Sequence, residues 1–324
     1  MCGMMCAVRL ALLVAAIGVP LGARAQRATQ GALAAAPSAT SATSAIPTVI
    51  AASALTDSMV VTTVWLAAHL TDPKVVLIEV TMDEKPTEGR IPGARQVPYP
   101  TFVTRRDGLA HELPAADSLR QTFEALGVSD DSRVVVYAMH GPMATRVLMT
   151  LDYLGHQKFS YLDGGLAKWK AEHRELAPDA PVVVRGRFTP HPRPEMLATA
   201  DWLTDRIGKP GIALIDTRTE GEYNGTGNRS GMPSAGHLAG ARQLEWEWLF
   251  EKDEVLLKDR AELQKLYADR VRPGDTVVTY CWVGYRASAT YFVARLLGLN
   301  TKFYDGSYQD WQMRKLPTTA GATP

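Results

Sequence analysis

Asp275-Thr-Val-Val-Thr-Tyr280-Cys281-Trp282-Val283-Gly284-Tyr285-Arg286-Ala287-Ser288, continuing as Ala289-Thr-Tyr-Phe-Val-Ala-Arg-Leu-Leu-Gly298, passes from a β-branched run through a short loop into helical periodicity. The pattern predicts a buried strand that delivers Cys281 into a loop with one glycine and one cation, directly before a helix N-terminus. Backbone N–H groups and the positive helix end both favour an anion at such a place, so the loop suits a thiolate. A free cysteine is often no more than a small buried apolar residue. The loop position, Gly284 and Arg286 favour a reactive thiol.

Working outward, strands and helices alternate. Val60-Val61 leads into a helix carrying Trp65, and Val75 to Val80 reads as a buried strand. Ser118 to Leu126 has helical spacing before Gly127, a C-cap. Arg133 to Tyr137 is the next strand, Ala144 to Leu154 the next helix, and Phe159 to Leu162 a further strand closed by Asp163-Gly164-Gly165. This order predicts an α/β fold with open, mainly parallel sheets flanked by helices. Residues 176–194 carry five prolines, at 178, 181, 190, 192 and 194, and are expected to link two domains.

After the linker the pattern restarts. Ala200-Asp-Trp202-Leu echoes Val64-Trp65-Leu66, and Ile212 to Arg218 echoes Val75 to Thr81. Gly236-His237-Leu-Ala-Gly240-Ala241-Arg242 echoes Gly89-Arg90-Ile-Pro-Gly93-Ala94-Arg95. Thr276 to Tyr280 echoes Arg133 to Tyr137, and Tyr304-Asp305-Gly306-Ser307 with Trp311 echoes Leu162-Asp163-Gly164-Gly165 with Trp169. Five echoes in one order, at a period of ~140 residues, mean a tandem pair of domains and not a solenoid. Cys281 falls opposite Ala138, Gly284 opposite Gly141 and Arg286 opposite Met143. The first half thus lacks the nucleophile and the cation, and is expected to be catalytically silent while shaping a cleft at the domain interface.

The chain resembles the tandem-domain rhodanese family of sulfurtransferases, which act on thiosulfate or 3-mercaptopyruvate. The resemblance rests on Asp216-Thr-Arg218-Thr-Glu220-Gly-Glu222-Tyr223-x-Gly225, Gly236-His237-Leu-Ala-Gly240-Ala241, the loop from Cys281 to Arg286, and Tyr304-Asp305-Gly306-Ser307-Tyr308-x-x-Trp311. It covers roughly Val60 to Leu316 and implies two rhodanese-like α/β domains, the first (56–175) inactive and the second (195–318) bearing the cysteine. It further implies a Cys281 persulfide, formed from a small-molecule sulfur donor and discharged to a thiol or cyanide acceptor in a ping-pong cycle. No cofactor and no metal is implied, and a redox protein is a second conceivable acceptor.

Around Cys281, the N–H groups from Trp282 through Val283, Gly284, Tyr285 and Arg286 to Ala287 are expected to hold the persulfide. Two roles are open to Arg286: lowering the thiolate pKa while holding an anionic donor, or bracing the loop on a carboxylate such as Asp216. Arg218 is expected to add positive charge at the cleft, whereas Arg242, matched by Arg95 in the first half, has an equal claim to a structural role. Asp216, His237 and Asp305 are expected to support the loop, His237 as a brace and not a base. Trp282 and Tyr285 either flank the thiol or pack at the domain interface. The loop, Cys-Trp-Val-Gly-Tyr-Arg, matches neither the thiosulfate pattern Cys-Arg-x-Gly-x-Thr nor the mercaptopyruvate pattern Cys-Gly-Ser/Ala-Gly-x-Thr. Its one cation leans toward thiosulfate, although Glu222 stands where some tandem members carry a substrate-contacting arginine. Cysteine phosphatases use Cys-x5-Arg, and this loop, with Cys-x4-Arg, is one residue short for phosphate. The non-enzymatic alternative is a sulfur carrier or a partner-binding module.

The remaining composition narrows partners and compartment. A net charge of +1 over 324 residues with 46% hydrophobic content gives no electrostatic case for nucleic acid or membrane surface as a partner. Arg9, the apolar run Leu10 to Gly22 and Ala23-Arg24-Ala25 read as a secretory signal cleaved before Gln26 and too short to span a bilayer. Residues 26–55, rich in Ala, Ser and Thr, read as a disordered leader. Cleavage would remove Cys2 and Cys6, leaving Cys281 as the one thiol of an exported, periplasmic protein with no membrane attachment.

Overall fold

The computed structural model describes residues 58–82, 89–227 and 235–324. The expected signal and leader lie outside the described residues. The first half comprises β1 (Val60–Val61), α1 (Thr63–His69), β2 (Val75–Thr81), β3 (Arg95–Pro98), β4 (Thr104–Arg106), β5 (Leu109–Glu112), α2 (Ala116–Ala125), β6 (Arg133–Ala138), α3 (Gly141–Tyr153), β7 (Phe159–Leu162) and α4 (Gly165–Ala171). The second comprises β8 (Leu197–Ala198), α5 (Ala200–Thr204), β9 (Ile212–Asp216), α6 (Glu220–Asn224), β10 (Arg242–Gln243), α7 (Arg260–Ala268), β11 (Thr276–Tyr280), α8 (Ala287–Leu296), β12 (Thr301–Tyr304) and α9 (Ser307–Met313).

Each half forms a five-stranded parallel sheet, in the orders β1-β7-β6-β2-β3 and β8-β12-β11-β9-β10, which are the same topology twice. The central strands are nearly continuous apolar runs because helices cover both faces. Residues that recur in the two halves do matching structural work. Thr62 and Thr199 cap α1 and α5 by accepting from Trp65 N and Trp202 N, both at 3.1 Å. Tyr137 and Tyr280 accept from Ile91 N and Leu238 N at 3.4 and 3.2 Å. Trp169 and Trp311 each donate from Nε1, to Glu175 O and Pro317 O, at 2.8 Å.

The halves meet along α3 and α8, which are equivalent helices. Their equivalent residues Thr145 and Ser288 touch, Oγ1 to Oγ at 2.9 Å, so a local two-fold axis passes between them. One apolar core runs across this contact, from Ile78, Val136 and Leu148 to Phe250, Val277 and Phe292. The proline-rich segment forms no regular element over residues 178–193 and lies along the first half. There Gly186 N donates to Glu124 O at 2.8 Å and Asp130 N to Arg187 O at 3.1 Å.

The antiparallel hairpin β4–β5 has no forerunner in the strand-helix alternation. Asp107 and Gly108 form its turn, both with positive φ (52° and 85°). An Asp-Gly pair is the composition such a turn asks for, and is the signal by which the hairpin could have been found.

Candidate active site

β11 ends at Tyr280, and Cys281 follows with its surface wholly buried. The peptide groups of Cys281 are held from one side by the turn after β12. Cys281 N donates to Ser307 Oγ at 3.3 Å, while Tyr308 N and Gln309 N donate to Cys281 O and Trp282 O, both at 3.0 Å. Ser307 takes a positive φ of 53° to do this, and its hydroxyl also donates to Tyr304 O at 2.8 Å.

Beyond Cys281 the backbone N–H groups run free of partners. None of the N–H groups of Trp282, Val283, Gly284, Tyr285, Arg286 and Ala287 donates to a protein acceptor. Buried or half-buried N–H groups are otherwise almost always paired, so a run of six marks a place prepared for an acceptor from outside the chain. The N-terminus of the ten-residue α8 begins at the end of this run. Gly284 turns the loop with φ +81°, and a Cβ there would lie 2.9 Å from Asp305 O and 3.2 Å from Arg146 Nη1. Only glycine meets both conditions.

Arg286 does not meet Asp216. It forms a two-pronged pair with Glu222, Nη1 to Oε2 at 2.7 Å and Nη2 to Oε1 at 2.8 Å. Glu222 is itself fixed: with Thr219 it makes the capping box of α6, its Oε2 accepting from Thr219 N at 3.1 Å. Burial opposes the Glu222 charge, yet the hydrogen bond and charge of Arg286 and the bonds from Thr219 hold its pKa below the ordinary carboxylate value. Burial likewise opposes the Arg286 charge, and the hydrogen bond to Glu222 and the charge on Cys281 hold its pKa above the ordinary arginine value. The Thr219-x-x-Glu222 spacing was a sequence signal for the capping box, though not for the pair with Arg286.

Arg218 is fully buried and does not add its charge to an open cleft. Its Nη2 donates to Asp216 Oδ2 at 2.6 Å and to Gly236 O at 2.8 Å, and its guanidinium lies 3.9 Å from the Tyr308 ring centroid. Asp216 also accepts from Tyr280 OH at 2.7 Å, so it steadies the strand end beside Cys281 and makes no bond to the loop backbone. His237 is buried, stacks on Tyr223 at 3.8 Å and donates from Nδ1 to Tyr223 O at 2.9 Å. Its backbone pairs with Thr319, and these contacts brace the C-terminal segment. Asp305 faces the first half instead of the loop backbone: Leu113 N and Arg146 Nη1 both donate to it at 2.8 Å.

The two aromatic residues part company. Trp282 packs into the second-half core beside Tyr308, ring centroids 5.2 Å apart, and its buried Nε1 has no acceptor. Val283 packs against the same cluster. Tyr285 turns to the other half and meets Tyr99 edge-on at 5.2 Å. Burial raises the Tyr285 pKa, with Glu254 and Cys281 adding to the rise. Burial raises the pKa of Tyr99 on the first half, and Leu113 and Met149 of that half share an apolar cluster with Cys281. Tyr99 and His111, which meet at 3.2 Å, were not among the residues expected from sequence.

Two cavities open away from the thiol. One of about 330 Å³ lies between the hairpin and the second half and is lined by Glu112, Leu113, Tyr304, Asp305 and Arg314. Burial and Asp305 raise the Glu112 pKa to about 7 there. The other, about 340 Å³, sits by Arg242, Arg270 and Arg272 toward the N-terminal end of β11. Arg242 donates to Asp269 O at 2.5 Å, so its guanidinium is engaged with backbone at the end of α7. Among the described residues, no group of His, Cys, Asp or Glu is arranged to hold a metal ion, and no helix is long and apolar enough to cross a membrane.

Two copies of a parallel α/β sheet, with a buried cysteine in a donor-rich loop before a helix in one copy only, define the class: the chain belongs to the rhodanese family. A model of the rhodanese-like domain matches residues 62–172 and 199–314. The chain is 33% identical over 249 residues to a thiosulfate sulfurtransferase of Pseudomonas aeruginosa, covering 76% of this chain and 91% of that one. It is 30% identical over 270 residues to the sulfur carrier protein TtuD of Thermus thermophilus, covering 78% and 93%. Among solved structures, the 3-mercaptopyruvate sulfurtransferase SseA of Escherichia coli superposes with a TM-score of 0.67 at 26% identity, covering 77% of this chain and 98% of that one.

Proposed function

We propose that the protein is a sulfurtransferase that moves a sulfane sulfur from thiosulfate to a thiophilic acceptor, cyanide or a thiol, through a persulfide on Cys281. The Cys281 thiolate attacks the outer sulfur of the donor. The S–S bond breaks and sulfite leaves with its electron pair. The acceptor then attacks the terminal sulfur, and the thiolate of Cys281 is the leaving group. Two half-reactions on one thiol give ping-pong kinetics.

The observation that carries this reading is the run of six unpaired N–H groups from Trp282 to Ala287 following the cysteine. Fixed backbone donors stabilise an anionic sulfur without the reorganisation that water would need. Arg286 contributes less to donor binding than its isolated charge suggests, because Glu222 already neutralises it. 3-Mercaptopyruvate is the second candidate donor, and export to the periplasm is proposed from the Leu10–Ala25 segment. N-terminal sequencing of periplasmic protein should then begin at Gln26.

The test is steady-state thiocyanate formation from thiosulfate and cyanide, with intact mass read after each donor alone. Wild type should gain one sulfur atom and turn over repeatedly with parallel-line kinetics. Cys281→Ser should lose both, by ~10³-fold or more, as expected for removal of a covalent nucleophile. Equal rates for the two proteins would end the proposal. The relative named a sulfur carrier supports a second reading, in which Cys281 loads one sulfur and passes it to a partner protein. Loading without cyanide turnover would select it.

A further inference from the structure

The first half lacks a cysteine, yet it supplies a charged group to the turn that holds the one in the second half. Arg146, on α3, exposes no surface at all. Its Nη1 donates to Asp305 Oδ1 at 2.8 Å and its Nη2 to His111 O at 2.7 Å, and its guanidinium lies 5.4 Å from the centre of the Phe303 ring. Burial alone would disfavour the cation. The Asp305 charge reverses that, and the Arg146 pKa lies above the ordinary arginine value. A buried guanidinium is tolerated only when paired this way, and its pair marks a fixed point in the structure.

The local two-fold axis supplies a control. Asp163, the counterpart of Asp305, accepts from Leu257 N at 2.9 Å just as Asp305 accepts from Leu113 N at 2.8 Å. Each half therefore hooks the other through one aspartate. The counterpart of Arg146 is Ala289, so the guanidinium is added on one side only. That is the side of Cys281.

From Asp305 the path to the thiol is short. Asp305 opens the turn whose Ser307, Tyr308 and Gln309 hold the peptide groups of Cys281 and Trp282. Gln309 reaches the other way, accepting from Ala110 N at 2.9 Å, so the turn is gripped by the hairpin as well. Gly284, in the middle of the cysteine loop, lies directly against Asp305 O and Arg146 Nη1. The turn after β12 is thus held between the first half and the cysteine loop.

We propose that Arg146 is a positioning residue for the sulfur-transfer reaction, by which the cysteine-free half sets the geometry of the Cys281 loop through Asp305. The proposal rests on Cys281 being the sulfur-carrying thiol. Arg146 is closed off from solvent and engaged at both Nη atoms, so it does not bind the donor. Its loss should lower the rate of the chemical steps and leave donor affinity alone.

The experiment uses Arg146→Lys, Arg146→Met and the double variant Arg146→Met/Asp305→Asn, which leaves no lone buried charge and guards against simple misfolding. Thiosulfate and cyanide kinetics should show the folded double variant with kcat at least tenfold down and KM for thiosulfate within twofold of wild type. Arg146→Lys should recover part of the loss. Alkylation of Cys281 by iodoacetamide, followed by peptide mass, should run at least threefold faster in the double variant as the buried loop loosens. An unchanged kcat overturns the proposal, as does a raised KM at unchanged kcat, which would make Arg146 a donor-binding group. If wild type transfers no sulfur, the proposed reaction falls. The alkylation rate still decides the positioning role, and an unchanged or slower rate overturns it.

Discussion

Ala138 to Met143 and Cys281 to Arg286 leave equivalent strands and enter equivalent helices, yet their backbones are treated in opposite ways. In the first loop Gly141 N donates to Glu254 O at 2.9 Å and Met143 N to His140 O at 3.1 Å, while Pro142 has no N–H to offer. A Cβ on Gly141 would lie 2.2 Å from the Phe250 ring. The second half has filled this cradle with its own carbonyl and its own ring. In the second loop no chain segment does so, and six donors stay unpaired beside a thiol. The difference between the halves is thus wider than one cysteine: in the first loop Gly141 N and Met143 N are occupied and Pro142 has no donor, while in the second all six donors from Trp282 to Ala287 are held open.

The strongest way to break this contrast is at Gly284. Gly284→Ala puts a Cβ against Asp305 O and keeps a residue at φ +81°, so it should cost about 1–3 kcal/mol of stability. Sulfur transfer should fall with it. Gly240 has a similar φ of +77° but nothing within 4 Å of its Cβ, so Gly240→Ala should cost only about 1 kcal/mol. Denaturant unfolding of the two variants side by side would show whether close packing or backbone strain dominates; equal losses would mean strain alone.

Glu222→Gln sharpens the contrast at smaller scale. The amide oxygen can still cap α6, while the charge that neutralises Arg286 is gone. KM for thiosulfate should fall about three- to tenfold, where tenfold corresponds to ~1.4 kcal/mol. The sign of the pH effect follows from the lowered Glu222 pKa. Stability from the ion pair is fully present above the ordinary carboxylate range, and is lost as pH falls through the lowered folded-state value. The stability gap between wild type and Glu222→Gln should therefore be widest near neutrality and close below pH ~3, measured by urea unfolding. A gap that widened in acid would contradict the pairing.

The smallest effect is expected from a graft. Ala138→Cys with Met143→Arg gives the first loop the missing side chains while Glu254 O and Pro142 still deny it donors. Intact mass after thiosulfate should show one added sulfur, on Cys281, as in wild type. A second sulfur on position 138 would show that the side chains alone suffice.

Much of this organisation is legible in the sequence because it is local and repeated. Strand runs, the Thr62 and Thr199 caps and the Tyr137 and Tyr280 anchors recur at fixed spacing, and the repeat itself exposes Cys281 as the odd residue. The partners of charged residues are not legible in that way. Asp216 and Glu222 both lie upstream of Arg286, and only the fold of α6 decides between them. Arg218 carries the same charge as Arg286 and is spent on Asp216. Arg146 and Asp305 are 159 positions apart, so no window of periodicity joins them. His111 reaches the site on a hairpin whose strands are too short to stand out, and Tyr99 on the single turn of 3-10 helix just before it.

The contact between Thr145 and Ser288 carries one more consequence. When a residue touches its own counterpart across an axis, the interface is that of a symmetric dimer, here written into a single polypeptide. Two separate identical subunits would have to change both sites together. Joined in one chain, each half can be altered alone, so one copy is free to give up its nucleophile and become a fixed wall of the other copy's active site.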